Sequence, residues 1–258
     1  MSDKETLPAL SLLGLRKSYR GTTVVDDVRL AVAQGSLTGV VGPNGAGKTT
    51  TLSMAVGLLR PDAGTSLVRG IDLWRRPAEA KRLLGVLPAG LALPERLTGT
   101  ELLTYWGLLR GIDLHEVRRR AEELLSVLDL DGAEDRVRLV LEYSTGMRKK
   151  IGLATALLHN PRVLVLDEPF EAVDPVSART IRRILRQFVQ RGGAVLISSH
   201  VMPLVEQLCD QVALIADGRV LAAGPIDEVR DGLSLEDRFV TYVGERPAVD
   251  GEMSWLGT

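Results

Sequence analysis

The run Gly42-Pro43-Asn44-Gly45-Ala46-Gly47-Lys48-Thr49-Thr50 constrains this chain more than any other stretch. Its spacing, G-x-x-x-x-G-K-[ST], builds a turn whose backbone N–H groups cradle phosphates. The flanks suit that use. Ser36–Val41 ahead of it is a short apolar run that reads as a buried strand, and Thr50–Val56 behind it reads as the opening of a helix. Strand, tight turn and helix in that order aim several N–H donors at one point, where the helix N-terminus adds about half a positive charge. The expected occupant is the phosphate chain of a nucleotide, with Lys48 on the terminal phosphates and the Thr49 hydroxyl on Mg²⁺.

Composition excludes several other classes. Lys and Arg total 32 against 33 Asp and Glu, so no basic excess points to nucleic acid. The single Cys209 rules out an intrachain disulfide framework, which fits a reducing compartment. No apolar run approaches the roughly 18 residues of a membrane span. Leu7–Leu15 is preceded by Asp3, Lys4 and Glu5 and lacks a cleavage pattern, so it reads as a first strand rather than a secretion signal. The expectation is a cytoplasmic protein whose membrane role comes through a partner.

Residues 9 to 87 read as strand-rich: Leu10–Leu15, Val24–Val32, Ser36–Val41, Thr65–Val68 and Leu83–Leu87, with one helix, after Lys48, interrupting them. The pattern then turns helical. Gly99–Leu109, a segment with Leu114, Val117, Ala121, Leu124, Leu125 and Leu128 on one face, and Met147–Leu158 are the expected helices. Strands return at Val163–Leu166 and Ala194–Ser198, separated by a helix over Pro175–Val189. A hairpin turning at Asp217-Gly218 joins Val212–Ala216 to Arg219–Ala222. The simplest organisation is one α/β domain over residues 1–244 with a helical insert at about 90–156. A polar, loosely ordered tail over 245–258 follows it.

A second apolar strand, Val163–Leu166, ends in Asp167-Glu168-Pro169. Carboxylates at a strand tip beside a phosphate loop suit metal binding and activation of water: Asp167 for Mg²⁺, Glu168 for the water that attacks the γ-phosphate. Ser144, ahead of Thr145-Gly146-Met147, suits a helix N-cap.

Taken in order, Gly42–Thr49, Tyr143-Ser144-Thr145-Gly146-Met147, Leu166-Asp167-Glu168-Pro169, Val173-Asp174-Pro175 and Ser198-Ser199-His200 resemble the ATP-binding subunit of an ABC transporter from about Leu10 to Gly224. The resemblance implies a P-loop NTPase core, an antiparallel β subdomain and the inserted helical subdomain. It implies that Gly42, Pro43, Asn44, Gly45, Ala46, Gly47, Lys48, Thr49 and Thr50 hold ATP, and that Tyr19 stacks on adenine. Ser144 and Gly146 belong to the signature motif that faces ATP held by a second subunit, Asp174 to the loop that crosses the dimer interface, and His200 to the switch that contacts the γ-phosphate. A paired ATPase subunit, identical or not, and an integral-membrane permease on the inner face of the cell membrane are the implied partners. Tyr-Ser-x-Gly-Met and Arg96-Leu97-Thr98-Gly99-Thr100-Glu101 are similar to the branch serving drug, antibiotic, lipid and polysaccharide exporters.

Two departures stand out. Where the family carries Gln or Glu at the end of Leu84-Gly85-Val86-Leu87-Pro88, this chain has Ala89, whose methyl group can hold neither metal nor water; slowed hydrolysis follows unless a neighbour, with Glu95 the nearest acid, takes the role. Phe170-Glu171-Ala172 replaces a more usual Thr-containing turn. Rival readings are a weakly hydrolysing nucleotide-binding regulator, and an ABC ATPase acting on ribosomes or DNA, the latter opposed by the single phosphate loop and neutral charge.

Overall fold

A computed structural model describes residues 7–244. In chain order the strands β1 (Leu10–Tyr19), β2 (Thr22–Val32) and β3 (Leu37–Val41) lead into helix α1 (Lys48–Ala55). Next come β4 (Ala63–Val68), β5 (Ile71–Asp72), α2 (Pro77–Arg82) and β6 (Leu84–Leu87). Helices α3 (Gly99–Leu109), α4 (Leu114–Val127) and α5 (Thr145–Leu157) follow, with a 3₁₀ turn at Val140–Glu142 between the last two. The remainder alternates: β7 (Val163–Leu166), α6 (Pro175–Gln190), β8 (Ala194–Ser199), α7 (Met202–Leu208), β9 (Gln211–Ala216), β10 (Arg219–Pro225), α8 (Ile226–Arg230) and α9 (Leu235–Val243).

Two sheets form. One is antiparallel, in the order β2-β1-β4-β5; the other runs β10-β9-β3-β8-β7-β6, parallel except for the edge strand β10. The parallel strands are apolar on both faces because both faces are covered. Leu164 and Leu166 of β7 join the core under the helices, while Val163 and Val165 join the core shared with α1 and the antiparallel sheet. That two-residue alternation fixes register, since a slip of one would exchange the two cores. Cys209, after α7, is buried in the helix-side core, and burial pushes its thiol well above the ordinary range.

The long elements match their sequence patterns within a few residues. The hairpin turn is where expected, with both Asp217 (φ 47°) and Gly218 (φ 73°) in the left-handed region that a two-residue hairpin needs. The strand over Leu7–Leu15 is corrected: β1 starts at Leu10 and runs on to Tyr19. Helix α1 is not alone before β6, because α2 forms with Pro77 at its first turn. The tail from Glu245 lies outside the described residues. Among those residues no helix is long and apolar enough to cross a membrane.

Candidate functional site

Strands β3, β8, β7 and β6 are parallel neighbours, so their C-terminal tips lie along one edge of the sheet. Each tip delivers a sequence-predicted residue: Gly42–Lys48 after β3, Asp167 and Glu168 after β7, His200 after β8 and Ala89 after β6. A cavity of about 310 Å³ opens there, lined among others by Asn44, Gly45, Lys48, Thr49, Glu168 and His200. This size falls in the usual range for a small-molecule site.

The loop is shaped by residues that lack a Cβ. Gly47, the N-cap of α1, sits at φ 93°, a conformation that side chains disfavour. A Cβ at Gly42 would lie 2.0 Å from the Ile215 carbonyl oxygen, so β3 and β9 can close on the loop only with glycine there. Helix α1 thereby starts with its free N–H groups turned to the cavity and carries no acid in its first turn.

The charged groups form one chain of contacts. Lys48, only 6% exposed, donates from Nζ to the carbonyls of Gly42 (2.8 Å) and Pro43 (3.1 Å) and lies 3.8 Å from Glu168 Oε1. The other carboxylate oxygen of Glu168 lies 3.2 Å from His200 Nδ1. Asp167 is buried and hydrogen-bonded from the Ser198 hydroxyl, and that same hydroxyl accepts from the Glu168 N–H at 2.9 Å. Glu168 itself sits at φ 44°. Its strained backbone is pinned at both ends, since Lys149 Nζ donates to its carbonyl at 2.8 Å. Burial pushes the Lys149 ammonium below its ordinary value, against the opposing pull of Glu171, Asp167 and Glu168.

Other predicted residues stand elsewhere. Tyr19 is 45% exposed at the end of β1, its ring 5.8 Å from Lys17 Nζ, and is not among the lining residues. Ser144 caps α5, its hydroxyl accepting from Met147 N–H, and Asp174 caps α6, accepting from Val176 and Ser177. These two helix starts adjoin: a Cβ at Gly146 would lie 2.7 Å from Asp174 Oδ2 and 2.8 Å from Ser177 Oγ. Neither Ser144 nor Gly146 lines the cavity. Glu95 does not take up the duty missing at Ala89; its carboxylate is engaged by Arg148 at 3.1 Å and lies outside the lining. Glu171 lines the cavity together with Ala89; the sequence marks its turn as a departure but gives Glu171 no role. Ser198 was legible as a motif neighbour of His200, but neither it nor Lys149 was legible as a group that fixes Glu168.

ATP and Mg²⁺ fit this arrangement. Among the described residues no three or more His, Cys, Asp or Glu side chains are clustered to hold a metal by themselves. Mg²⁺ characteristically takes one or two protein oxygens plus substrate phosphates, which Thr49 and Asp167 beside a phosphate cradle can complete.

Comparison with known proteins agrees with the geometry. The sequence model of the ABC transporter family matches residues 25–171. The chain is 40% identical over 225 residues to the daunorubicin/doxorubicin resistance ATP-binding protein DrrA of Streptomyces peucetius, covering 87% of this chain and 68% of that protein. A solved ATP-binding subunit of an ABC transporter superposes with a TM-score of 0.84 at 29% identity, over 92% of this chain and all of the other. A dimeric ATP-binding cassette, solved in a post-hydrolysis state with ADP and Pi, shares the fold at a TM-score of 0.76 and 21% identity, over 84% of this chain and 98% of that one. With a phosphate loop, the strand-tip Glu168 and His200 converging on one cavity and Asp167 buried next to Glu168, the chain belongs to the ABC transporter family as an ATP-binding, ATP-hydrolysing subunit.

Proposed function

We propose that this subunit hydrolyses ATP at the Lys48–Glu168–His200 cavity as one half of a dimer, and drives a separate integral-membrane permease that exports a drug-like, antibiotic, lipid or polysaccharide compound. The reading rests on one observation above all: Lys48 and His200 approach the two carboxylate oxygens of Glu168 from the ends of neighbouring strands. Lys48 and the N–H groups of Gly45–Thr49 would bind the β- and γ-phosphates. Glu168 would accept the proton of the attacking water, and His200, on the far oxygen of that carboxylate, holds it oriented. Thr49 and Asp167 would hold Mg²⁺, which when bound would supply charge neutralisation at the phosphate oxygens. Tyr19, at the open end of β1, would supply a face for the adenine.

The dimer follows from what the cavity lacks. Ser144 and Gly146 open a capped helix that could donate N–H groups to an anion, yet they do not reach this chain's own cavity. A second subunit turned head to tail would place them on the γ-phosphate, with Asp174 at the seam. The export direction and the cargo class rest on the exporter-branch motifs around Ser144 and Arg96, and the drug-like member of that class is supported by the likeness to the drug-resistance protein DrrA. An ABC ATPase working on ribosomes or DNA is disfavoured by the net charge of −1.

Sedimentation of Glu168→Gln tests the core of this reading. With ATP and Mg²⁺ the variant should move from monomer to dimer and its turnover should fall by about 10²–10⁴-fold, the usual worth of a general base. Rapid turnover would remove Glu168 from that role, and a monomer under saturating ATP would remove the shared site.

A further inference from the structure

Ala89 and Glu171 line the Lys48 cavity but have no part in the scheme above. Ala89, at the tip after β6, presents a methyl group to a space it shares with Lys48, Thr49, Glu168 and His200, and with the apolar Val24. Glu171 belongs to the turn Phe170-Glu171-Ala172 that follows Glu168, and this turn is built to a defined shape. Its N–H donates to the Glu168 carbonyl at 3.3 Å, and Ala172 after it sits at φ 53°. The side chain is exposed to solvent on one side and borders the cavity on the other.

A carboxylate there is expensive for a site that receives a polyphosphate. Glu168 and Asp167 already place two acids at the strand tip, and at 4 Å a further like charge costs on the order of 1–4 kcal/mol depending on the local dielectric. Cations at the site offset part of this. Lys48 faces Glu168, and Lys149 feels Glu171 as the first of its three neighbouring negative charges. Neither explains why the acid faces the cavity, because Lys149 and Glu171 make no ion pair within 4 Å among the described residues. A carboxylate bordering a phosphate site becomes favourable when a divalent cation arrives with the phosphates, since it then accepts hydrogen bonds from the cation's water shell.

We propose that Glu171 is a positioning residue for the divalent cation that accompanies ATP, holding its water shell at the cavity wall where Ala89 offers only a methyl group. The polar duty lost at position 89 is carried at position 171, on the neighbouring strand tip. This rests on the nucleotide reading given above.

The test is a titration of the full chain with Mn²⁺ in the presence of a non-hydrolysable ATP analogue, followed by water proton relaxation, which reports both occupancy and the water shell. Glu171→Ala should raise the Mn²⁺ concentration at half-saturation by about tenfold, the lower end for loss of an outer-shell partner, while metal-free analogue binding becomes no weaker, since a like charge beside the phosphates is gone. Adding Ala89→Gln to Glu171→Ala should restore it. Half-saturation unmoved in Glu171→Ala overturns the proposal. So does a double variant as weak as the single, the result expected if Glu171 served only to balance Lys149. A wild-type chain that binds no Mn²⁺ with the analogue overturns the nucleotide reading itself, which is a separate and recognisable outcome.

Discussion

Glu168 combines two properties that rarely meet in one residue. Its backbone occupies the left-handed region at φ 44°, which costs on the order of 1–3 kcal/mol for a residue with a Cβ, and its carboxylate bridges Lys48 and His200. The strain persists because Ser198 holds its N–H and Lys149 its carbonyl. Ser198→Ala should therefore lower turnover while leaving ATP affinity within about threefold, since it loosens Glu168 and Asp167 without touching the phosphate cradle; kcat and KM measured together separate these effects. Lys48→Ala should do more, lowering kcat by about 10²-fold or beyond, because a charge aimed at the terminal phosphates is lost. The acids, the lysine and the histidine were all legible in the sequence, for each stands in a motif of fixed spacing. Ser198 as a brace, Lys149 as a clamp and Glu171 as a lining residue were not, because their roles arise from contacts across 19 to 30 positions of chain or from a cavity no spacing encodes.

At the level of elements, legibility followed signal length. Helix α4 has a capping Asp113 and an apolar stripe, and α5 and α6 begin at Ser144 and Asp174, so each could be placed from its cap. Helices α2, α7 and α8 run for five to seven residues without a side-chain cap, too short for a periodic face to register. Ser144→Ala should cost about 1 kcal/mol, read as a thermal midpoint lower by about 2–4 °C, since one N–H of α5 loses its acceptor. A sharper element-level effect sits after α5. His159 packs against β6, where its Nε2 donates to the Leu84 carbonyl at 2.9 Å while Nδ1 is buried without a partner. Burial, aided by the charge on Arg110, lowers its pKa from 6.5 to about 4. Below pH 6.5 the unfolded chain takes up a proton that the folded chain refuses until about pH 4. Stability therefore falls through that window as pH drops, by on the order of 2 kcal/mol once the partial exposure of the ring is allowed for, and is unaffected above it. Urea midpoints at pH 7.5 and 4.5 should show this loss, and His159→Gln should flatten it.

For the whole molecule, the parallel sheet does the positioning. One edge gathers four strand tips into a site, and both faces are sealed by separate cores, so the edge is held in place from two sides. The single cysteine lies in one of these cores, at the end of α7, with its thiol held in the protonated form by burial. It follows that the chain carries its own clock for opening. A thiol reagent such as Ellman's should colour the native protein slowly and the urea-unfolded protein at once, with one equivalent per chain in each case. Because only a conformation that has parted α7 from the sheet can react, the labelling rate measures how often that happens, and saturating ATP with Mg²⁺ should slow it in proportion to the affinity of the folded state for nucleotide.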